Sequence, residues 1–238
     1  MKVDILAIAA HPDDVELSCS GTLLRHIDQG KTVALVDLTQ GELGTRGSAE
    51  LRLQEAAEAA RIMGAVAREN LSMADGFFER SRENLEKIAQ VIRKYQPEVV
   101  VTNALDDRHP DHGRAAKLVA DACFVAGLVK VPTYEEGQLQ ERWRPHALYH
   151  MIQDRFRQPD FVVDITDYLD QKKAVIMAFR SQFYDPDSEE LSSPISSKSF
   201  QDFLEARARD FGRDIGVDFA EGFNVARTPG VRDFMDLV

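Results

Sequence analysis

Cysteine is scarce in this chain of 238 residues: there are two, Cys19 and Cys123, and no Cys-x-x-Cys pair. A disulfide scaffold is therefore excluded, and both thiols fall in apolar, helix-like stretches where free cysteine is usually buried. Basic residues are outnumbered, 29 Lys and Arg against 40 Asp and Glu, for a net charge of −11. That balance argues against nucleic acid or an anionic membrane surface as the main partner. Long apolar runs are missing too. Met1-Lys2-Val3-Asp4 is followed by six apolar residues, too few for a signal h-region or a membrane span, and the reading is a cytoplasmic protein. Finally, no Gly-x-Gly-x-x-Gly follows the first apolar run, which counts against a dinucleotide-binding oxidoreductase.

What is present is ordinary globular composition, 44% hydrophobic and 29% charged, arranged as an alternation. Apolar, strand-length runs lie at 3–10, 31–39, 70–74, 97–103, 147–153 and 161–166. Between them come helical patterns: Cys19, Leu23 and Ile27 up to Gly30; a stretch capped by Ser48 and ending near Gly64; one capped by Ser81; and another over 113–126. Such alternation predicts an α/β fold, Rossmann-like and doubly wound, with a mainly parallel sheet of order 3-2-1-4-5 plus an additional strand. Residues 1–166 form that core in a single domain, and 167–238 read as a helical C-terminal extension: a helix over 167–180, a Ser/Asp/Pro-rich loop over 181–199 and a last helix with Phe200, Phe203, Leu204 and Phe211. The loop is long enough to be a lid or an interface segment, with Tyr184 a candidate to swing over a site.

In this order strands 1 and 4 are neighbours, and ligands bind in the crevice at their carboxyl ends. After strand 1 comes "HPDD" (11–14), and after strand 4 comes "DDRHPDHG" (106–113). Each residue has a plain reading: Asp13 and Glu16 have the spacing of a capping box, and Asp111 suits a helix cap. Two His-Pro-Asp tripeptides after two neighbouring strands point instead to one metal site. Catalytic zinc typically takes three His or Asp ligands and keeps a position open, and His11, Asp14 and His112 make such a set; Fe²⁺ suits it as well. Asp13 is then left beside the metal as a general base. His109, held as an imidazolium by Asp111, is left to face an oxyanion. The chemistry expected is metal-assisted hydrolysis of an acyl bond.

"AHPDD" together with "HPDH" resembles the zinc-dependent N-acetylglucosamine deacetylases, the phosphatidylinositol-glycan and LmbE-like family. "GELGTRGSAELRLQEAAEAARIMG" (41–64), "DRHPDHGRAAKLVADACFVAGL" (107–128), "SPISSKSF" (193–200) and "IGVDFAEGF" (215–223) are similar to its bacillithiol-pathway branch, so the resemblance covers nearly the whole chain. It implies His11, Asp14 and His112 as zinc ligands, Asp13 as base, and His109 with Asp111 at the oxyanion. It also implies Arg52 and Asp75 as sugar contacts, and a homo-oligomer, a hexamer in that branch. The implied substrate is N-acetylglucosaminyl malate, with a chitooligosaccharide or a thiol conjugate as alternatives. Arg46 and Arg108 are candidates for the malyl carboxylates, or else partners of Glu42, Asp106 or Asp107.

Overall fold

The apolar run that opens the chain becomes strand β1 (Ile5–Ala9), buried along its whole length in the computed structural model, which describes residues 1–186 and 189–236. Alternate residues serve two cores. Ile5, Ala7 and Ala9 join one apolar cluster, while Leu6 and Ile8 join another. A strand buried on both faces reads as continuous hydrophobicity rather than alternation, which is why this segment is plain in the sequence.

Helix α1 (Asp14–Asp28), strand β2 (Val33–Thr39), helix α2 (Ala49–Met63), strand β3 (Ala67–Met73), helix α3 (Arg82–Tyr95), strand β4 (Val99–Thr102) and helix α4 (Pro110–Ala126) follow in turn. The caps fall where expected: Ser48 and Ser81 accept the N–H groups of Leu51 and Asn84, and Gly64 closes α2 at φ 84°. After a two-residue hairpin, β5 (Tyr134–Glu135) and β6 (Gln138–Leu139), come β7 (Ala147–Met151), β8 (Phe161–Asp164), α5 (Leu169–Ile176), α6 (Lys198–Ile215) and β9 (Ala220–Val225).

The large sheet has the order β3-β2-β1-β4-β7-β9-β8. Its first five strands are parallel, with β7 in the fifth place of the expected 3-2-1-4-5 order. The doubly wound, mainly parallel fold is thus as anticipated. Helices α1, α2 and α5 pack on one face, and α3 and α4 on the other. Strand β1 pairs with β4 in the register Ile8↔Thr102, so the turns after both strands leave the sheet side by side.

Three local expectations are corrected. Helix α4 begins at Pro110, because Pro at N1 lacks an N–H that the first turn would leave unbonded anyway. The helix expected over 167–180 is a 3₁₀ turn, Thr166–Tyr168, followed by the shorter α5. And β9 enters the sheet between β7 and β8, antiparallel to both, so the segment after 166 builds the sheet as well as covering it. Strand β9 escaped the sequence reading because "AEGFNV" mixes Glu221, Gly222 and Asn224 into a buried strand. Positions 187 and 188 of the 181–199 loop, and 237 and 238, lie outside the described residues. Among the described residues no helix is long and apolar enough to cross a membrane.

Candidate metal centre

The chain leaves β1 through His11, Pro12 and Asp13 and enters α1 at once. Asp13 is the helix N-cap and adopts φ 114°, ψ −25°, a left-handed backbone that costs a non-glycine residue about 1–3 kcal/mol. Its carboxylate makes no capping bond. The Asp13–Glu16 spacing is therefore not a capping box; Glu16 instead pairs with Arg68 at 2.5 Å. The cap of α4 is His109, whose Nδ1 accepts the Asp111 N–H.

Both turns project into one cavity of about 280 Å³, lined by His11, Asp13, Asp14, His109 and His112 among others. The Asp14 carboxylate lies 3.0 Å from His112 Nε2 and 3.5 Å from His11 Nδ1. His11, His109 and His112 each bring a ring nitrogen within 4.8 Å of the others, and so do His11, Asp75 and Asp111 with their donor atoms. The sequence-derived set His11, Asp14 and His112 is thus brought together, with His109 on its rim. These nitrogen and carboxylate donors suit a divalent cation of the Zn²⁺ or Fe²⁺ kind.

Charge follows geometry. Burial works against the Asp14 carboxylate, yet the charge of His112 and hydrogen bonds from His11 and His112 hold it well below its usual range. Burial likewise opposes the charge of His112, but Asp14 and a bond to Asp107 lift it to about 9. His11 is raised well above the usual value against burial by hydrogen bonds to Asp111, Asp14 and Asp75. Asp13 goes the other way from Asp14. Burial first, and then the like charges of Asp14 and Glu16, push it up to about 7 against the pull of Arg52 and His11. Two adjacent carboxylates are thus driven apart in acidity.

Several assigned partners are different. Asp111 does not hold His109 as an imidazolium. Its carboxylate accepts the Gly76 N–H at 2.8 Å and an Arg114 N–H at 2.5 Å, and lies 3.4 Å from His11 Nε2. Burial and the charges of His11 and His112 then lower the pKa of His109, which is neutral at pH 7. Because Nδ1 accepts from the backbone, the ring proton is assigned to Nε2, which keeps a donor for the cavity.

Asp75 lines the cavity, but its oxygens accept from His11 Nε2 and from the Leu43 N–H, each at 3.0 Å. Burial opposes its charge, yet these donors bring it down to about 2. The first of these contacts holds His11 in place. Arg52 does face the cavity, held by Gln182. Its guanidinium runs where a side chain on Gly41 would begin, and Gly41 itself stands at φ 65°. Arg46 is tied to Glu190 at 3.1 Å and to the Phe183 carbonyl at 3.2 Å, and Arg108 pairs with Asp154. Both arginines are thus engaged with the protein's own groups, though not with the acids expected. Tyr184 is not among the cavity-lining residues.

Three residues were missed. Asp107 accepts from His112 Nδ1 at 2.5 Å and so turns Nε2 toward Asp14. Asn103 and Gln153 donate to the Asp14 carboxylate at 2.9 and 3.0 Å. All three lie just past the carboxyl ends of β4 and β7, the rim on which ligand-binding residues of such sheets collect.

The PIG-L family model, described as GlcNAc-PI de-N-acetylase, matches residues 6–123. The diacetylchitobiose deacetylase of Thermococcus kodakarensis is 30% identical over 237 residues, covering 95% of this chain and 84% of that one. The chain belongs to the PIG-L family. PIG-L membership makes it a deacetylase, a hydrolase of amide bonds. Among solved structures, the conserved protein TT1542 from Thermus thermophilus superposes with a TM-score of 0.85 at 37% identity, covering 98% of both chains. The N,N'-diacetylchitobiose deacetylase of Pyrococcus horikoshii, complexed with its inhibitor, gives 0.80 at 27% identity, covering 99% of this PIG-L chain and 88% of that one.

Proposed function

We propose that the protein is a divalent-metal-dependent N-deacetylase that frees the amine of a terminal N-acetylglucosamine carrying a neutral aglycone, as in a chitooligosaccharide, and releases acetate. The observation that carries the reading is Asp13: a buried carboxylate with no capping bond, shifted to about 7, beside the cluster of His11, Asp14 and His112. A site built only to hold a metal needs no such group.

His11, Asp14 and His112 would hold the cation, Zn²⁺ or Fe²⁺. When bound, it supplies Lewis acidity to the acetamide carbonyl and acidifies water. The protein's own groups do the rest. Asp13, ionised near neutral pH, takes the proton of the attacking water and passes it to the departing amine nitrogen. His109, neutral with its proton on Nε2, donates a hydrogen bond to the oxygen on which charge develops. Arg52, fixed by Gln182, supplies donors for sugar hydroxyls.

A neutral aglycone is favoured because the two arginines expected at a malate are already paired with Glu190 and Asp154. The two diacetylchitobiose deacetylases, which align along nearly all of this chain, point the same way. N-acetylglucosaminyl malate is the second reading, because Arg108 lies exposed at the cavity mouth. Amine release from diacetylchitobiose, N-acetylglucosaminyl malate and a thiol conjugate, each with and without chelator, separates them. The expected result is chelator-sensitive release with kcat/KM highest for diacetylchitobiose. A preference for the malate conjugate would return Arg108 to substrate binding, and no release from any member would remove the deacetylase reading.

A further inference from the structure

Helix α6 buries a stripe of Leu204, Ala208 and Phe211, and Arg207 stands beside that stripe. A cation there has to find acceptors. Arg207 reaches across the cavity wall and donates to two backbone carbonyls, that of Gln153 just past β7 and that of Leu17 in α1, the latter at 3.3 Å. The same Leu17 carbonyl accepts from Lys172 Nζ at 3.0 Å, and Lys172 pairs with Glu221 at 2.5 Å. Glu221 accepts the N–H groups of Gly21 and Thr22 in the middle of α1, at 3.0 and 2.7 Å. Thus α5, α6 and β9 all grip α1 behind its cavity end.

The Gln153 side chain is fixed in one orientation. Its oxygen accepts the Ala104 N–H at 3.0 Å and Asn103 Nδ2 at 2.9 Å, so its NH₂ group faces Asp14 Oδ1, 3.0 Å away. Asp14 Oδ2 takes the His11 N–H and Asn103 at 3.0 and 2.9 Å. The aim of the Asp14 carboxylate at His112 therefore depends on where the peptide of Gln153 sits relative to α1, and Arg207 spans those two.

We propose that Arg207 is a positioning residue for Asp14: by bridging the carbonyls of Gln153 and Leu17 it sets Gln153 against the carboxylate and so tunes the affinity for the cation. The inference rests on the reading of His11, Asp14 and His112 as the metal-holding set. It requires no contact between Arg207 and metal or substrate.

The test is a Zn²⁺ titration against a chromophoric chelator for the wild-type protein, R207A, Q153A and the double variant, with thermal melts of each metal-free form. Groups that orient metal ligands are commonly worth 10–100-fold in affinity. Q153A is expected to weaken Zn²⁺ binding by about that factor and R207A by about tenfold. The double variant is expected to bind no more weakly than Q153A, because Arg207 acts through Gln153. Losses that multiply in the double variant, or unchanged affinity in R207A, would overturn the proposal. A general packing role would instead lower the melting temperature of metal-free R207A and leave the two losses independent. If R207A does not fold, R207K, which keeps the charge but loses the two-carbonyl fork, takes its place in the same cycle with the same expected non-additivity. A wild-type protein that binds no Zn²⁺ would remove the metal-site reading itself, a different result from normal binding in all variants.

Discussion

Asp13→Asn is expected to lower kcat/KM by about 10³-fold, within the range that general acid–base catalysis contributes, while metal binding changes little. Asn keeps the shape of the side chain and is tolerated in left-handed backbone, but it cannot take a proton. Metal binding should survive because Asp13 makes no hydrogen bond to His11, Asp14 or His112, whereas Asp14 touches both histidines. The pH profile carries the same information. In the metal-free protein burial pushes Asp13 up to about 7; a bound cation would lower that value, and below it Asp13 is protonated and cannot act as a base. The activity of the wild-type protein should therefore rise as pH increases from acid toward neutral, and the residual activity of the variant should lose that rise. Steady-state kinetics beside elemental analysis decides: a metal-free Asp13→Asn protein would make Asp13 a ligand and end its assignment as base.

Metal binding itself should depend steeply on pH. In the metal-free protein His112 titrates at about 9 and His11 well above its usual value, so both are protonated at pH 7. A cation must displace both protons, since it needs neutral imidazole. Asp14 is already ionised and adds nothing to the pH dependence. Zn²⁺ affinity is therefore expected to rise with pH, approaching 100-fold per unit wherever both histidines are protonated in the metal-free protein, because two protons leave. Stability should move in opposite directions in the two forms. A histidine whose folded value is raised stabilises the fold fully below about 6.5 and loses that contribution as pH rises through its folded value. Metal-free protein should thus lose melting temperature between pH 6.5 and 9 while the Zn²⁺-loaded protein gains on it. Calorimetry in buffers of different ionisation enthalpy counts the protons, and a flat affinity profile would show that His11 and His112 are not both ligands.

The parts of the site that were legible in the sequence are those carried by local chemistry. "HPDD" and "HPDH" stand out because imidazoles and carboxylates cluster directly after two strands, and the strand order alone predicts that they meet. The sheet order was readable for a similar reason, since buried parallel strands are continuous apolar runs. What was not legible is pairing at a distance. Asp111 lies two residues from His109, yet its carboxylate turns to Gly76 and Arg114, and only the backbone N–H serves the ring. Asp107 was visible as one more acid in "DDRHPDHG", with nothing local to say that it, rather than Asp111, orients a histidine. Gln153 and Arg207 carry no motif at all. Strand β9 was hidden by its own function, because the Glu221 that spoils its hydropathy is the residue that binds α1 and Lys172.

The left-handed backbone at Asp13 sets heat resistance against turnover at a single codon. Glycine adopts φ 114° without the clash that aspartate meets there, and its substitution also removes a buried carboxylate. Asp13→Gly should therefore leave a fold more stable by about 1 kcal/mol and a catalyst weakened by about 10³-fold, like Asp13→Asn. A laboratory selection that rewards survival of heating alone would drift toward that variant, and only one that also demands product would keep the aspartate.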